Sequence, residues 1–318
     1  MAPCGGPRVR EIAVFGGSAH PALTAEICAH LHVPQRPVLL KRFANDCLEV
    51  QLQSNCRERD VFLIQPLVKP VQENLVELLL MADAARGASA ARVTAVLPHY
   101  AYGRSDKKDA PRISIGGRLV ADLLVTAGVN RVLTLNLHSP QVHGFFSVPV
   151  DHLHALRELA DHFRGRDLSR AIVVSPDLGY AKSAAAFARR LGLTVAAGAK
   201  ERISDTEVRI TAIIGDVAGR DVIVLDDEIS RGTTVFELLD RLRADGARSV
   251  AVACTHGLFA DNSLDKLAAA DVTEIVCTNS APIAAEHPKL TILSVAPALS
   301  EAIRRIHDGE SVSSLFDH

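Results

Sequence analysis

The sequence predicts an α/β protein built as two tandem halves, each a mostly parallel sheet flanked by helices. Three observations carry this expectation. Short apolar runs recur along the whole chain, the pattern of strands buried on both faces. Between them, apolar residues return at helical spacing, so strand and helix alternate. At 318 residues the chain is long for one hydrophobic core and suits two domains of ordinary size.

The elements can be justified in order. Residues 1–10 are rich in Pro, Gly and Arg and are expected to be loose. Residues 12–15 form a short strand that runs into G-G-S-A-H-P, a turn opening a helix from Pro21 to about Leu31. Residues 38–43 and 48–52 read as paired strands, and 61–65 as another. Leu75, Leu78, Leu79, Ala82 and Ala85 make a helical stripe that stops at Gly87, a C-terminal cap by its type. A strand at 93–97, a charged loop through Asp109, a helix at 114–127 and a strand at 132–137 complete the first half. Leu153, Leu156, Ala160 and Phe163 open the second half with a helix. Strands follow at 171–174, 193–197, 222–225, 250–254, 275–277 and 292–295, then a last helix at about 297–307 expected to pack back on the first half. The boundary is placed near Val150, giving domains 1–150 and 151–318. Gly128 precedes His138, and Gly246 precedes His256, by the same spacing, a faint internal repeat.

Composition narrows the function classes. A hydrophobic content of 48% with 23% charged residues describes a globular chain, and a formal net charge of −2 offers no general attraction to nucleic acid or membrane surface. No apolar run approaches the ~20 residues that span a bilayer. The 6 cysteines show no C-x-x-C pairing, so they read as incidental thiols in a reducing cytoplasm, without zinc or structural disulfides.

The chemistry concentrates in residues 221–237, D-V-I-V-L-D-D-E-I-S-R-G-T-T-V-F-E. An apolar strand ends at Asp226 and Asp227. A small-residue turn follows, Ser230, Arg231, Gly232, Thr233 and Thr234, and then a helix begins. Loop N–H groups, hydroxyls and the helix dipole suit a phosphate. The two carboxylates can accept hydrogen bonds from vicinal hydroxyls or hold hydrated Mg2+. The bland alternative is an ordinary βα turn with a helix cap at Ser230. Elsewhere, Lys200 and Arg202, one residue apart in an extended stretch, can share a face toward a transferring phosphate. Asp177 in S-P-D-L-G follows a strand, where α/β sheets bind ligands.

The stretch at 221–237 resembles the 5-phosphoribosyl-1-diphosphate loop of type I phosphoribosyltransferases and of the related ribose-phosphate diphosphokinases. The order of the remaining motifs is similar to the diphosphokinases from G-G-S-A-H-P to G-E-S-V-S, nearly the whole chain. The resemblance implies two tandem type I phosphoribosyltransferase-like domains, the first on the ATP side and the second binding ribose 5-phosphate. It implies transfer of the diphosphoryl group of ATP to ribose 5-phosphate, with Lys200 and Arg202 catalytic. Arg202, Asp226, Asp227 and residues 230–234 would hold ribose 5-phosphate. His138, in L-N-L-H-S-P-Q, and Asp177 would bind Mg2+, the one cofactor. F-A-N-D-C, with Phe43, Asn45, Asp46 and Cys47, matches an adenine loop that reaches across from a neighbouring subunit. Y-G-R-S-D-K-K-D, with Arg104 and Ser105, matches an ATP-contacting segment, and His138 would also face ATP.

The chain departs from the family pattern at several points. Cys47 stands where relatives carry Glu, with Glu49 a candidate substitute; Ser105 replaces Gln; Asn136 and Pro140 replace Asp and Ser. The implied partners are ATP, ribose 5-phosphate and further copies of the chain, as a dimer or hexamer. Two other readings stay open at this point: a phosphoribosyltransferase consuming the same diphosphate, and a catalytically silent, synthetase-like subunit that regulates an active partner.

Overall fold

The computed structural model describes residues 11–202 and 208–315. They divide into two compact units. One takes the described residues up to Leu153 together with Ala296–Leu315, and the other runs from His154 to Val295.

The first unit contains β1 (Ile12–Gly16), α1 (Pro21–Leu31), β2 (Gln35–Arg36), β3 (Val38–Arg42), β4 (Leu48–Leu52), β5 (Asp60–Ile64), α2 (Val71–Gly87), β6 (Arg92–Leu97), α3 (Gly116–Ala127), β7 (Arg131–Leu135) and β8 (Val150–Leu153). The second contains α4 (Leu156–Phe163), β9 (Ala171–Ser175), α5 (Ala181–Leu191), β10 (Val195–Arg202), β11 (Val208–Ile214), β12 (Asp221–Ile229), α6 (Thr233–Ala244), β13 (Ser249–Gly257), α7 (Ser263–Ala269), β14 (Glu274–Thr278) and β15 (Leu290–Leu293). The last helix, α8 (Ala296–Asp308), returns to the first unit.

The first sheet is parallel throughout, in the order β2-β1-β5-β6-β7-β8, with β3 and β4 forming a separate antiparallel hairpin. The second runs β11-β10-β9-β12-β13-β14-β15 and is parallel except for the β10–β11 pair. Strands covered on both faces must be apolar along their length, and D-V-F-L-I of β5 and A-I-V-V-S of β9 are buried at every position. Leu63, Leu78, Leu97 and Leu124 meet in the core of the first unit. In the second, Val224, Leu238 and Cys254 pack on one side of the sheet and Phe163, Phe187 and Val173 on the other.

Helix α8 is tied down in the first unit. Leu299, Ala302 and Ile303 are fully buried, and the Ser300 hydroxyl donates to the Ile27 carbonyl of α1 at 3.3 Å. At its far end the Arg92 guanidinium donates to the Ile306 carbonyl at 2.9 Å, and His307 Nδ1 lies 2.9 Å from Asp60. Asp60, 1% exposed, also receives Arg92 Nε at 2.8 Å.

Both sheets share one wiring. The chain leaves β1 or β9 toward one edge, through α1 or α5, and leaves the adjacent β5 or β12 toward the other, through α2 or α6. Diverging connections at neighbouring strand ends open the crevice in which α/β sheets bind ligands. This wiring pairs β6 with β13 and β7 with β14. The sequence repeat is therefore out of register by one βα step, because His256 lies in β13 whereas His138 follows β7. Gly128 and Gly246 look alike because both are left-handed residues just past a helix, with φ of 118° and 79°.

Other expectations shift at element ends. β8 is absent from the sequence reading, and Leu153 closes it instead of entering α4. β12 does not end before the carboxylates: Asp226 and Glu228 still pair with Cys254 and His256 of β13. Gly87 is the last residue of α2 and not its cap, since Ala88 follows with φ −81° and the left-handed residue is Ser89. The antiparallel strand β11 is likewise absent from the sequence reading.

Candidate active site

In the second unit, the sequence-predicted residues converge on the adjacent carboxyl ends of β9 and β12. Beyond β9, the Ser175 hydroxyl donates to the Asp177 carbonyl at 2.6 Å, and Asp177 Oδ1 accepts the Tyr180 N–H at 3.2 Å, which curls the loop ahead of α5. On β12, Asp226 Oδ1 accepts the N–H of Asp227 at 2.9 Å, and Asp227 is 4% exposed. Asp226 is half-buried. Burial first, then the Asp227 charge and hydrogen bond, and more weakly Asp177, hold its carboxyl well above the usual carboxylate range. Asp226 therefore feels both Asp227 and Asp177.

The turn beyond β12 is shaped by Gly232, whose φ of 75° is costly for any residue with a Cβ. Ser230 is no helix cap. Its carbonyl accepts the Ala260 N–H at 3.0 Å and the Ser263 hydroxyl at 2.7 Å, which fastens the turn to the next loop. Thr233 and Thr234 begin α6, and no side chain of the preceding residue caps it, a helix N-terminus of the kind at which anions bind. Arg231 is exposed and pairs with Asp261 at 2.8 Å. The backbone of β10 carries Lys200 and Arg202 opposite Ile210 and Val208, with a bulge after Ala199. The side chains of Lys200 and Arg202 lie outside the described residues.

In the first unit, two predicted segments are brought together. Residues 101–104 form a single 3-10 turn, and a Cβ on Gly103 would stand 3.5 Å from the His138 N. Arg104 and His138 are exposed. The His138 segment is anchored to β8: Asn136 N donates to the Leu153 carbonyl at 2.9 Å, and Leu137 N to His152 Nε2 at 2.8 Å. Asn136 is 4% exposed with φ 41°, so it shapes the turn. Ser105 turns its hydroxyl to α3, accepting the Gly116 N–H at 2.8 Å.

Residues 43–47 cap the β3–β4 hairpin. Phe43 N donates to the Cys47 carbonyl and Asp46 N to the Phe43 carbonyl, each at 2.9 Å, and Asn45 Oδ1 accepts Cys47 N at 3.3 Å. Phe43 is 50% exposed, a large apolar ring offered to solvent. Asp46 pairs with Arg42 at 2.5 Å, and Arg42 also binds Glu73. Glu49 faces Lys41 across the hairpin at 3.5 Å.

Residues 12–128 match the N-terminal domain of ribose phosphate pyrophosphokinase, and residues 202–317 match the phosphoribosyl synthetase-associated domain. A protein of Streptomyces coelicolor is 72% identical over 97% of this chain and 98% of its own length. The ribose-phosphate pyrophosphokinase of Deinococcus radiodurans is 48% identical over 97% of this chain and 99% of its own. The chain belongs to the ribose-phosphate pyrophosphokinase family. A crystal structure of phosphoribosylpyrophosphate synthetase from Mycobacterium smegmatis, 36% identical, superposes with a TM-score of 0.88 over 94% of this chain and 100% of that one. As a member of the ribose-phosphate pyrophosphokinase family the chain is a diphosphotransferase enzyme, and its paired α/β architecture is the family's.

The donor chemistry at Asp177 and Asp226 fits a hard divalent cation: carboxylate oxygens whose mutual repulsion a cation relieves. Among the described residues no group of three or more His, Cys, Asp or Glu is arranged to hold a metal. A metal bound there would complete its shell with water and substrate oxygens, as Mg2+ does.

Sequence reading missed a second polar cluster, at the switch point of the first unit. Glu77 of α2, 2% exposed, accepts the Ser18 N–H at 2.8 Å, the Ser18 hydroxyl at 2.5 Å and Gln65 Nε2 at 2.9 Å. A cavity of about 190 Å3 beside it is lined by Ser18, Arg42, Lys69, Asn74 and Glu77 among others. Glu77 occupies a core-facing position of a helix otherwise read from its leucines, so no signal in the sequence marks it. No described helix is long and apolar enough to cross a membrane.

Proposed function

We propose that the enzyme transfers the β,γ-diphosphoryl group of ATP to the C1 hydroxyl of ribose 5-phosphate, giving AMP and 5-phosphoribosyl 1-diphosphate. The observation that carries this reading is the placement of Asp226 and Asp227 at the end of β12, next to the β9 loop that carries Asp177 and beside the N-terminus of α6. The N–H groups and hydroxyls of residues 230–234 hold the 5-phosphate, and Asp226 and Asp227 accept hydrogen bonds from the ribose hydroxyls. The C1 oxygen bonds to the β-phosphorus as that phosphorus parts from the oxygen bridging it to the α-phosphate. AMP departs and the hydroxyl proton passes to solvent. Lys200 and Arg202 stabilise charge spread over the migrating group, with Arg202 also at the ribose phosphate.

ATP is taken by Arg104, His138 and the adenine loop at Phe43, Asn45, Asp46 and Cys47, with that loop supplied by a neighbouring copy, so the active form is at least a dimer. His138 in the first unit and Asp177 in the second would each serve as a ligand for Mg2+, which would neutralise charge on the phosphate oxygens. The chemistry demands positioning and charge neutralisation, with no covalent enzyme intermediate.

The test is AMP formation from ATP, Mg2+ and ribose 5-phosphate, for the natural chain and Lys200→Ala side by side. Ribose-dependent AMP that is lost in the variant is expected. No AMP from folded natural chain refutes the reading and points to a regulatory subunit. AMP retained in Lys200→Ala removes Lys200 from its assigned role.

A further inference from the structure

Helix α3 begins without a cap of its own. The residue before it, Ile115, has an apolar side chain that makes no capping hydrogen bond. An α-helix leaves its first four N–H groups without helical partners. Here those of Gly116, Gly117 and Arg118 are satisfied. Arg118 N reaches the Ile115 carbonyl at 3.1 Å, beside the first helical bond, from Leu119 N to the same carbonyl at 3.1 Å. Gly116 N donates to Ser105 Oγ at 2.8 Å and Gly117 N to the Ser105 carbonyl at 2.9 Å. Ser105 thus performs the work of an N-cap serine from a different segment of the chain.

The close approach is built into two glycines. A Cβ on Gly116 would stand 2.9 Å from Tyr102 Cδ1 and 3.1 Å from Ser105 Oγ. A Cβ on Gly117 would stand 3.0 Å from the Tyr102 carbonyl and 3.1 Å from that of Ser105. Tyr100 adds a third fastening, its hydroxyl donating to the Gly117 carbonyl at 2.8 Å. The turn that carries Arg104 is thereby fixed against the first turn of α3, with the Arg104 side chain left exposed.

We propose that Ser105 is a positioning residue: by capping α3 it sets the backbone from which Arg104 meets ATP, and its hydroxyl does not bind the nucleotide. This rests on the reading of Arg104 as a nucleotide contact. It reassigns Ser105 from ATP ligand to scaffold, and explains why a short hydroxyl residue, with its oxygen on Cβ, stands there.

The test combines amide hydrogen exchange with steady-state kinetics on Ser105→Ala, Ser105→Thr, Arg104→Ala and the Arg104→Ala/Ser105→Ala double variant, in the full-length enzyme. In Ser105→Ala, exchange at Gly116 should quicken, by about fivefold for its one lost hydrogen bond, while Gly117, bonded to the Ser105 carbonyl, changes less. KM for ATP should rise by a similar factor while KM for ribose 5-phosphate stays put. Ser105→Thr, which keeps the oxygen, should restore both. In the double variant the Ser105 effect on ATP should vanish, because it acts through Arg104. Unchanged exchange, unchanged ATP kinetics, or losses that simply add in the double variant would each overturn the proposal. If Arg104→Ala alone leaves ATP kinetics intact, the reading of Arg104 fails; quickened exchange would then show the cap without a role in ATP binding, and the positioning claim falls with it.

Discussion

Replacing Ile303 by Ala should weaken the first unit, even though Ile303 follows every element of the second in sequence. Its side chain in α8 is 0% exposed. The substitution deletes three buried carbons, at about 0.8 kcal/mol each. With the term for an incompletely collapsed cavity, the loss comes to about 3 kcal/mol. For a unit of this size that is roughly a 6–12 °C fall in melting temperature. Hydrogen exchange read peptide by peptide locates the effect. Amides of β1 and β5 should lose protection while those of β13 keep theirs. Ile292→Ala, at a position 42% exposed on β15, serves as the control and should change stability by less than about 1 kcal/mol. Loss of protection in β13 with β1 unaffected would refute the assignment of α8 to the first unit.

Asp177→Asn should raise the Mg2+ concentration for half-maximal AMP formation by at least about tenfold, read in a metal titration at saturating ATP. Asp221 gives a pH signature: the Arg248 guanidinium, with Nε at 2.8 Å, holds its carboxyl below the usual range. Its contribution is present above the unfolded carboxyl pKa of about 4 and disappears as pH falls through the lower folded value; for so exposed a pair it is worth about 1 kcal/mol or less. Asp221→Asn should therefore unfold in urea with less dependence on pH across that acid window, and an unchanged slope would contradict the pairing. Among the described cysteines, Cys47 is exposed, whereas burial pushes the Cys28 thiol up to about 11 and the Cys277 thiol up to about 12. Iodoacetamide should label Cys47 well before these two, and ATP should slow that labelling; peptide mass mapping reads both.

The parallel strands were legible because burial on two faces leaves only apolar runs, as at Val222 and its neighbours. β8 was not, since V-D-H-L at a sheet edge is half polar and its Asp151 is neutralised by Arg131 at 2.5 Å, a tertiary fact. The extension of β12 through Asp226 and Asp227 was equally hidden: acidic residues argue for a loop, but β13 supplies hydrogen-bond partners to the end of the strand. For the site, loop chemistry named Asp177, Asp226 and the Gly232 turn, which the fold gathers at two adjacent strands. What stayed invisible were long-range contacts. Ser105 reads as one more polar loop residue until its two bonds to α3 are seen, and Glu77 reads as one more helix surface residue until Ser18 and Gln65 are found on it.

The first βα turn of the first unit already holds an anion, and that anion is part of the chain. Glu77 is delivered to Ser18 by its own helix, so a free oxyanion would meet a tethered competitor there. The first turn of α6 has no acidic residue of its own, and no side chain of the preceding residue caps it. Two copies of one architecture are thus told apart by which of them brings its own counter-ligand. The two turns differ in chemistry, with no difference of shape required.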